Sequence, residues 1–219
     1  MSRIEIPLFP LKTVLFPGGE LPLLIFEERY RTMARELLER GGVFGVVLIK
    51  HGNEVGGGAV PHDYGTTAVI EEAEETTGGR IRLHARGVHR FRLVRSLPPR
   101  PYPFGEVEIL EDEGAMSSVE LRAAETVRTM FPNYFRLAFS LTEQWARTPE
   151  LPPGGHRLVD FVMRWVQTDE EVKQRILEIE PAGERLAALA ELLDDLLARL
   201  RIQVEQYRRR KFGGFGAQN

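Results

Sequence analysis

Four prolines, Pro7, Pro10, Pro17 and Pro22, punctuate an otherwise apolar opening stretch from Ile6 to Phe26. Proline has a fixed φ and no backbone donor, so it cannot sit in a helix interior or complete a sheet ladder. The opening stretch is therefore expected to form strands that are short, bent or at a sheet edge. The periodicity changes at Phe26. Phe26, Tyr30, Met33, Leu37 and Leu38 fall on one helical face, so a helix is expected to open near Glu27, and Gly41 stands where it would stop.

The rest of the first half has the punctuation of a β-rich region. Val43–Ile49 is a continuous apolar run, short enough for a buried strand. A loop is expected from His51 to Tyr64, with Gly56, Gly57 and Gly58 inside it. Thr66–Glu75 and Arg80–Val94 flank Gly78-Gly79, a hairpin signal. The second strand of that hairpin alternates. Ile81, Leu83, Ala85, Gly87, His89, Phe91 and Leu93 share one face; Arg82, His84, Arg86, Val88, Arg90 and Arg92 share the other. Phe104–Leu110 reads as one more strand.

An acidic stretch, Glu111–Gly114, marks a change of character. Ser117-x-x-Glu120 is a capping-box signature and opens a helix that Pro132 is expected to break or kink. Phe135, Ala138, Phe139 and Trp145 suggest helix again, and so do Leu158, Phe161, Val162 and Trp165. Thr168-x-x-Glu171 is a second capping box, for a helix to about Ile179. Glu184–Arg210 is a long final helix with Leu186, Leu189, Leu193, Leu196 and Leu200 on a heptad stripe. Leu192 and Leu197 widen the stripe, which favours packing inside a bundle over a dimer seam. Strands first and helices second define an α+β chain. The expected division is a β-rich subdomain over 1–113, a helical subdomain over 114–211 and a disordered tail over 212–219.

Composition narrows the function classes. The net charge of -3 gives no bulk attraction for nucleic acid or anionic membrane. With no cysteine there are no disulfides or thiolate metal sites. There is no signal-peptide pattern and no apolar run of the length a membrane helix needs, so a soluble cytoplasmic protein is expected.

Several segments together resemble the LON N-terminal domain, the substrate-recognition module at the front of Lon proteases. They are the opening from Ile6 to Tyr30, Phe44-Gly-Val-Val47, Gly65-Thr-Thr-Ala-Val-Ile70 with Gly79-Arg80, and Arg86-Gly-Val-His-Arg-Phe-Arg92. Pro101-Tyr102, Val107-Glu108, Lys173–Glu178 and Glu184-Arg-Leu186 extend the resemblance to about Leu200. It implies a PUA-like β pseudo-barrel with one helix, followed by a helical bundle with a long final helix. It also implies a module that selects unfolded or exposed protein segments. The phosphate loop G-x-x-x-x-G-K-[ST] of the Lon motor is absent from this sequence. None of the five serines sits in the Gly-Pro-Ser-Ala-Gly setting of the Lon nucleophile. The zinc site of the thalidomide-binding relatives needs cysteines that this chain lacks.

The resulting expectation is a non-catalytic protein- or peptide-recognition module, an adaptor or regulator of proteolysis, without cofactor or metal. Its partners would be unfolded or exposed protein segments and a separate protease, and the chain would be a monomer or weak dimer. The runners-up are an RNA-binding PUA-like module and an unrecognised hydrolase. Seven arginines and no acid lie between Arg80 and Arg100. This run could form a basic strip for RNA phosphates. It could also be one side of a charge ladder against Glu71, Glu72, Glu74 and Glu75 across the hairpin, and the ladder is preferred. The candidate peptide-contacting residues are Phe16, Arg86, Arg90 and Tyr102, chosen as exposed polar or aromatic positions near the hairpin and proline-rich loops.

Overall fold

In a computed structural model the chain is described over residues 2–98, 100–111, 116–141 and 146–212. Among the described residues six strands and five helices follow one another. The strands are β1 (Arg3–Leu11), β2 (Glu20–Ile25), β3 (Phe44–His51), β4 (Val60–Thr76), β5 (Arg80–Leu97) and β6 (Phe104–Ile109). Helix α1 (Glu28–Arg40) lies between β2 and β3, and α2 (Ser118–Ser140), α3 (His156–Met163), α4 (Glu170–Glu178) and α5 (Ala182–Phe212) follow the last strand. The chain divides into two compact units, Met1–Glu113 with Val166–Glu180, and Gly114–Trp165 with Pro181–Asn219. The helical block expected over 114–211 is thus not continuous, because α4 belongs with the strands. Trp145, the boundary residues Asp112–Gly114 and the tail 213–219 lie outside the described residues.

In the first unit, antiparallel pairings link β3, β4, β5, β6 and β1, and a parallel pairing of β1 with β3 closes the ring. β2 pairs with the first half of β5, over Ile81–Arg86, and β6 with its second half, over Phe91–Leu97. One 18-residue strand therefore serves two partners along one edge. This is the pseudo-barrel that the resemblance implied.

β1 is neither short nor peripheral, despite Pro7 and Pro10. Successive residues of a strand point their backbone groups to opposite sides. The Leu8 amide donates to Pro103 and the Ser2 carbonyl accepts from Ile109, so even-numbered residues of β1 face β6. Pro7 consequently turns its missing donor toward the β3 side, one residue before that pairing begins at Leu8. Pro10 turns its own toward the β6 side, after that pairing has ended at Pro7. Both prolines fall where β1 has no partner to disappoint.

Two apolar layers cover the sheet. Tyr30, Met33 and Ala34 of α1 pack with Phe9, Phe44, Val46, Leu83, Ala85, Tyr102 and Phe104. On the other face Ile6, Leu8, Val47, Phe91, Val107 and Ile109 form a second cluster. Burial of such a side chain is worth about 1.5–3 kcal/mol, so these layers dominate the unit's stability. The barrel closes tightly at Phe91. A Cβ on Gly65 would meet the Val46 carbonyl at 2.3 Å and the Phe91 ring at 2.7 Å, so only glycine fits there. α1 ends at Gly41, whose φ of 73° and ψ of 179° lie in a region that essentially only glycine adopts. Phe26 and Leu38, expected on its buried face, are about half exposed.

The alternation of β5 holds only to Gly87. Ala68 pairs with Gly87 and Thr66 with Arg90, so β5 carries one extra residue in a bulge. The bulge reverses the faces. Arg90 joins the side of Ala85 and Gly87 and is buried, while His89 is exposed. β4 also begins earlier than expected, at Val60, and shortens the glycine-rich loop to 52–59.

In the second unit, α2 opens with both bonds of the capping box. Ser117 Oγ accepts from the Glu120 amide, and the Ser117 amide donates to the Glu120 carboxylate at 2.6 Å. Pro132 lies inside α2 and does not end it. Burial of Val127, Phe131, Tyr134 and Phe135 on either side of it holds the helix together. α2 packs along α5, whose buried stripe is Leu186, Leu189, Leu193, Leu197 and Val204. Leu196 and Leu200 are only half-buried: the stripe follows the 3.6-residue period of a straight helix, not a 3.5-residue heptad. Asp160 of α3 and Arg185 of α5 form a buried ion pair in this unit.

Candidate functional site

Helix α4 is tied to the strands by polar contacts at both ends. At its start the Glu170 carboxylate accepts from the Val14 amide (2.6 Å) and the Thr13 hydroxyl. The cap is Asp169, with no side-chain cap bond, so the capping box expected at Thr168 is not formed. Midway, the Gln174 amide donates to the Tyr64 carbonyl, and His62 lies 3.1 Å from Glu178. Past its end, the Tyr64 hydroxyl donates to Glu180 at 2.7 Å. One Arg90 guanidinium nitrogen donates to the carbonyls of Leu177 (2.7 Å) and Ile179 (2.8 Å). Helix C-termini leave carbonyls without intrahelical partners and carry partial negative charge, so a buried guanidinium there is a C-terminal cap.

This geometry decides the role of Arg90: at 2% exposure it is internal and cannot meet a ligand from solvent. Phe16 and Tyr102, at 3% each, are likewise buried. The Tyr102 hydroxyl donates to Glu36 at 2.8 Å, and burial, followed by that carboxylate, raises its pKa. Of the four candidates only Arg86 is exposed, and it pairs with Glu71 at 2.5 Å. Tyr102 packs in the cluster between α1 and the sheet, and Phe16 is buried with the core.

The arginines of β5 form a charge ladder. Arg82 faces Glu74 (3.5 Å) and Arg86 faces Glu71 on β4, while Arg92 faces Glu108 (2.5 Å) and Arg95 faces Glu106 (2.6 Å) on β6. The second set of acids, from β6, was not foreseen from the hairpin alone. Arg92 beside Glu108 holds that carboxyl below its ordinary value. A strip in which each of these arginines has a carboxylate is a poor track for phosphates. Among the described residues no group of three or more His, Asp or Glu side chains is placed to hold a metal ion, and no helix is long and apolar enough to cross a membrane.

The side chains that do present apolar surface are ones the sequence reading placed elsewhere. Leu24 (49%) and Phe26 (54%) stand exposed at the end of β2, a strand whose outer edge has no partner among the described residues. Val55, 54% exposed, lies in the loop 52–59. The Gly56 amide of that loop donates to the Glu27 carboxylate at 3.2 Å, so Phe26 and Val55 each adjoin one end of a single contact. Arg29 stacks on the Tyr30 ring at 4.4 Å, and burial pushes the Tyr30 hydroxyl up to about 12. The only signal for Phe26 in the sequence was its place one residue before the helix cap, where the helical face no longer applies.

The first unit is thus a mixed barrel that carries an exposed strand edge with apolar side chains beside it. Comparison with known proteins gives the family. The sequence model of the ATP-dependent protease La (LON) substrate-binding domain matches residues 5–195, and the chain belongs to this family. Its relatives include Lon protease 2 of Myxococcus xanthus, 28% identical over 201 residues, and a Lon protease of Anaeromyxobacter dehalogenans, 27% identical over 201. The match covers 86% of this chain but 23% of either relative, so the chain spans about a quarter of their length. Among solved structures, a Lon N-terminal domain protein from Xanthomonas campestris aligns with TM-score 0.61 and 27% identity, over 85% of this chain and 96% of that one. The N-terminal domain of a Mycobacterium avium complex Lon protease has the same fold, with TM-score 0.61 at 17% identity over 89% and 98% of the two chains.

Proposed function

We propose that this chain is a non-catalytic recognition module that binds exposed, extended segments of other proteins and acts as an adaptor or regulator for a separate protease. Membership of the substrate-binding family supports the class of ligand. The observation that carries the reading is the free outer edge of β2 with Leu24 and Phe26 beside it. An open strand edge offers backbone donors and acceptors to any extended chain, and neighbouring apolar side chains add affinity without demanding a sequence. Such recognition suits a module that must accept many unfolded partners. The family model that matches this chain is that of a substrate-binding domain, and the match spans about a quarter of the relatives' length, which supports assigning recognition to this region.

The test is fluorescence anisotropy of a labelled, permanently unfolded polypeptide, with single-stranded RNA alongside at two salt concentrations. Saturable polypeptide binding that survives salt, and that Leu24→Asp with Phe26→Asp weakens about tenfold, is expected; tenfold corresponds to about 1.4 kcal/mol. Salt-sensitive RNA binding without polypeptide binding overturns the proposal.

A further inference from the structure

A second open edge lies in β1. Because even-numbered residues of β1 face β6, Arg3 and Glu5 turn their amides and carbonyls to the opposite side. β3 pairs with β1 only from Leu8 onward, so no strand meets Arg3 or Glu5 there among the described residues. Pro7 lacks the donor that would extend the β3 pairing back toward them.

Beside this edge is a cleft of about 340 Å³, within the 300–1,000 Å³ typical of ligand sites. Ile4–Pro7 form one wall; the end of α1 and Gly41–Val43 form the other, with Tyr102 and Phe104 completing it. Its charged side chains are Glu5, Glu36, Arg40 and Arg100. Glu36 already accepts the Tyr102 hydroxyl. Arg100 stacks on Phe104 at 4.1 Å, and its charge lies near the Tyr102 hydroxyl. Arg40 and Arg100 are both exposed, and neither has a carboxylate at ion-pairing distance among the described residues. Arg82, Arg86, Arg92 and Arg95 of β5 each face a neighbouring glutamate, so Arg40 and Arg100 differ from these four in having charge available to a ligand.

We propose that this cleft binds an extended acidic segment of a partner polypeptide, which adds a short strand to β1 at Arg3 and Glu5 while its carboxylates pair with Arg40 and Arg100. The proposal rests on the recognition reading and deepens it. Where the β2 edge is read as sequence-tolerant, this cleft selects for charge. Backbone pairing supplies the common affinity and the two guanidinium groups the preference.

The probe is a fluorescein-labelled octapeptide alternating valine and glutamate, with blocked ends. The comparisons are its valine–lysine counterpart and a version N-methylated on alternate amides. The expected result on the full chain is saturable binding of the valine–glutamate peptide and at least tenfold weaker binding of the other two. Arg40→Glu with Arg100→Glu should reverse the preference toward lysine. Glu5→Pro removes an outward amide that makes no ladder bond, so it should abolish peptide binding with the thermal melt retained. Binding indifferent to N-methylation, to Glu5→Pro or to the charge reversal overturns the proposal. The unfolded polypeptide is measured on the same variants. A chain that binds it but not the valine–glutamate peptide loses the cleft and keeps the recognition reading; failure of both removes both.

Discussion

Replacing Arg90 tests whether this buried cation holds the fold together or serves a ligand. In Arg90→Ala the carbonyls of Leu177 and Ile179 lose donors at 2.7 and 2.8 Å. A hydrogen bond to a charged group contributes about 1.5–3 kcal/mol. Two of them set a loss of about 3–5 kcal/mol, allowing for partial rehydration of the outer carbonyl. That is a large share of the roughly 5–15 kcal/mol by which a domain is stable. Arg90→Lys keeps the charge but not the two-carbonyl reach of a guanidinium, and should lose about 1–2 kcal/mol. Arg86→Ala is the control. Its ion pair with Glu71 is nearly half exposed on both sides, so it should move stability by less than about 1 kcal/mol. Urea unfolding gives these values, and hydrogen exchange should show the amides of α4 losing protection first in Arg90→Ala. If Arg90→Ala stays within about 0.5 kcal/mol of the parent and instead loses peptide binding, the cap assignment is wrong and Arg90 returns to the ligand site.

Three further outcomes follow from the packing and the titrating groups. Gly65→Ala forces a methyl group against the Val46 carbonyl and the Phe91 ring; a loss of about 3 kcal/mol or more in urea is expected, and Phe91→Leu should rescue it only in part because the carbonyl remains. Ser117→Ala removes one bond of the α2 capping box and should cost about 1 kcal/mol, read as a lower urea midpoint at unchanged slope. Tyr30 has its pKa raised by burial from 10.0 to about 12. The folded state therefore holds this proton more tightly, and the associated stability is intact below pH 10 and lost as pH rises toward 12. Absorbance should show tyrosinate from Tyr30 only with global unfolding, and a hydroxyl that titrates freely near pH 10 in the folded chain would contradict its burial.

Much of the first unit was legible because its signals are local. Gly78-Gly79 set the hairpin, Gly41 the end of α1, and the alternation from Ile81 to Gly87 the buried face of β5. Errors came where two partners share one strand. The bulge before Arg90 is invisible to a period-2 count, since nothing in Gly87-Val-His-Arg90 announces an extra residue. Pro7 and Pro10 argued against an interior strand, yet β1 stays interior by changing partners between them. The membership of α4 in the first unit depends on contacts more than eighty residues apart, such as Arg90 with Leu177. No spacing rule carries that distance.

Three of the four candidate contact residues are buried for a more general reason. Phe16, Arg90 and Tyr102 were chosen as exposed polar or aromatic positions near the hairpin and proline-rich loops, and the fold buries all three. A polar or aromatic side chain beside a turn or proline can as readily pack inward or cap a helix as face solvent, so residue type and position alone do not place it. A recognition surface that accepts many chains is under the opposite demand: it needs exposed backbone and a few apolar or charged side chains, with little requirement on identity. Leu24 and Phe26 at the edge of β2, and Arg40 and Arg100 beside the edge of β1, meet that demand. What distinguishes them is that no strand or carboxylate lies opposite them among the described residues, a property of the assembled sheet that no single stretch of sequence encodes.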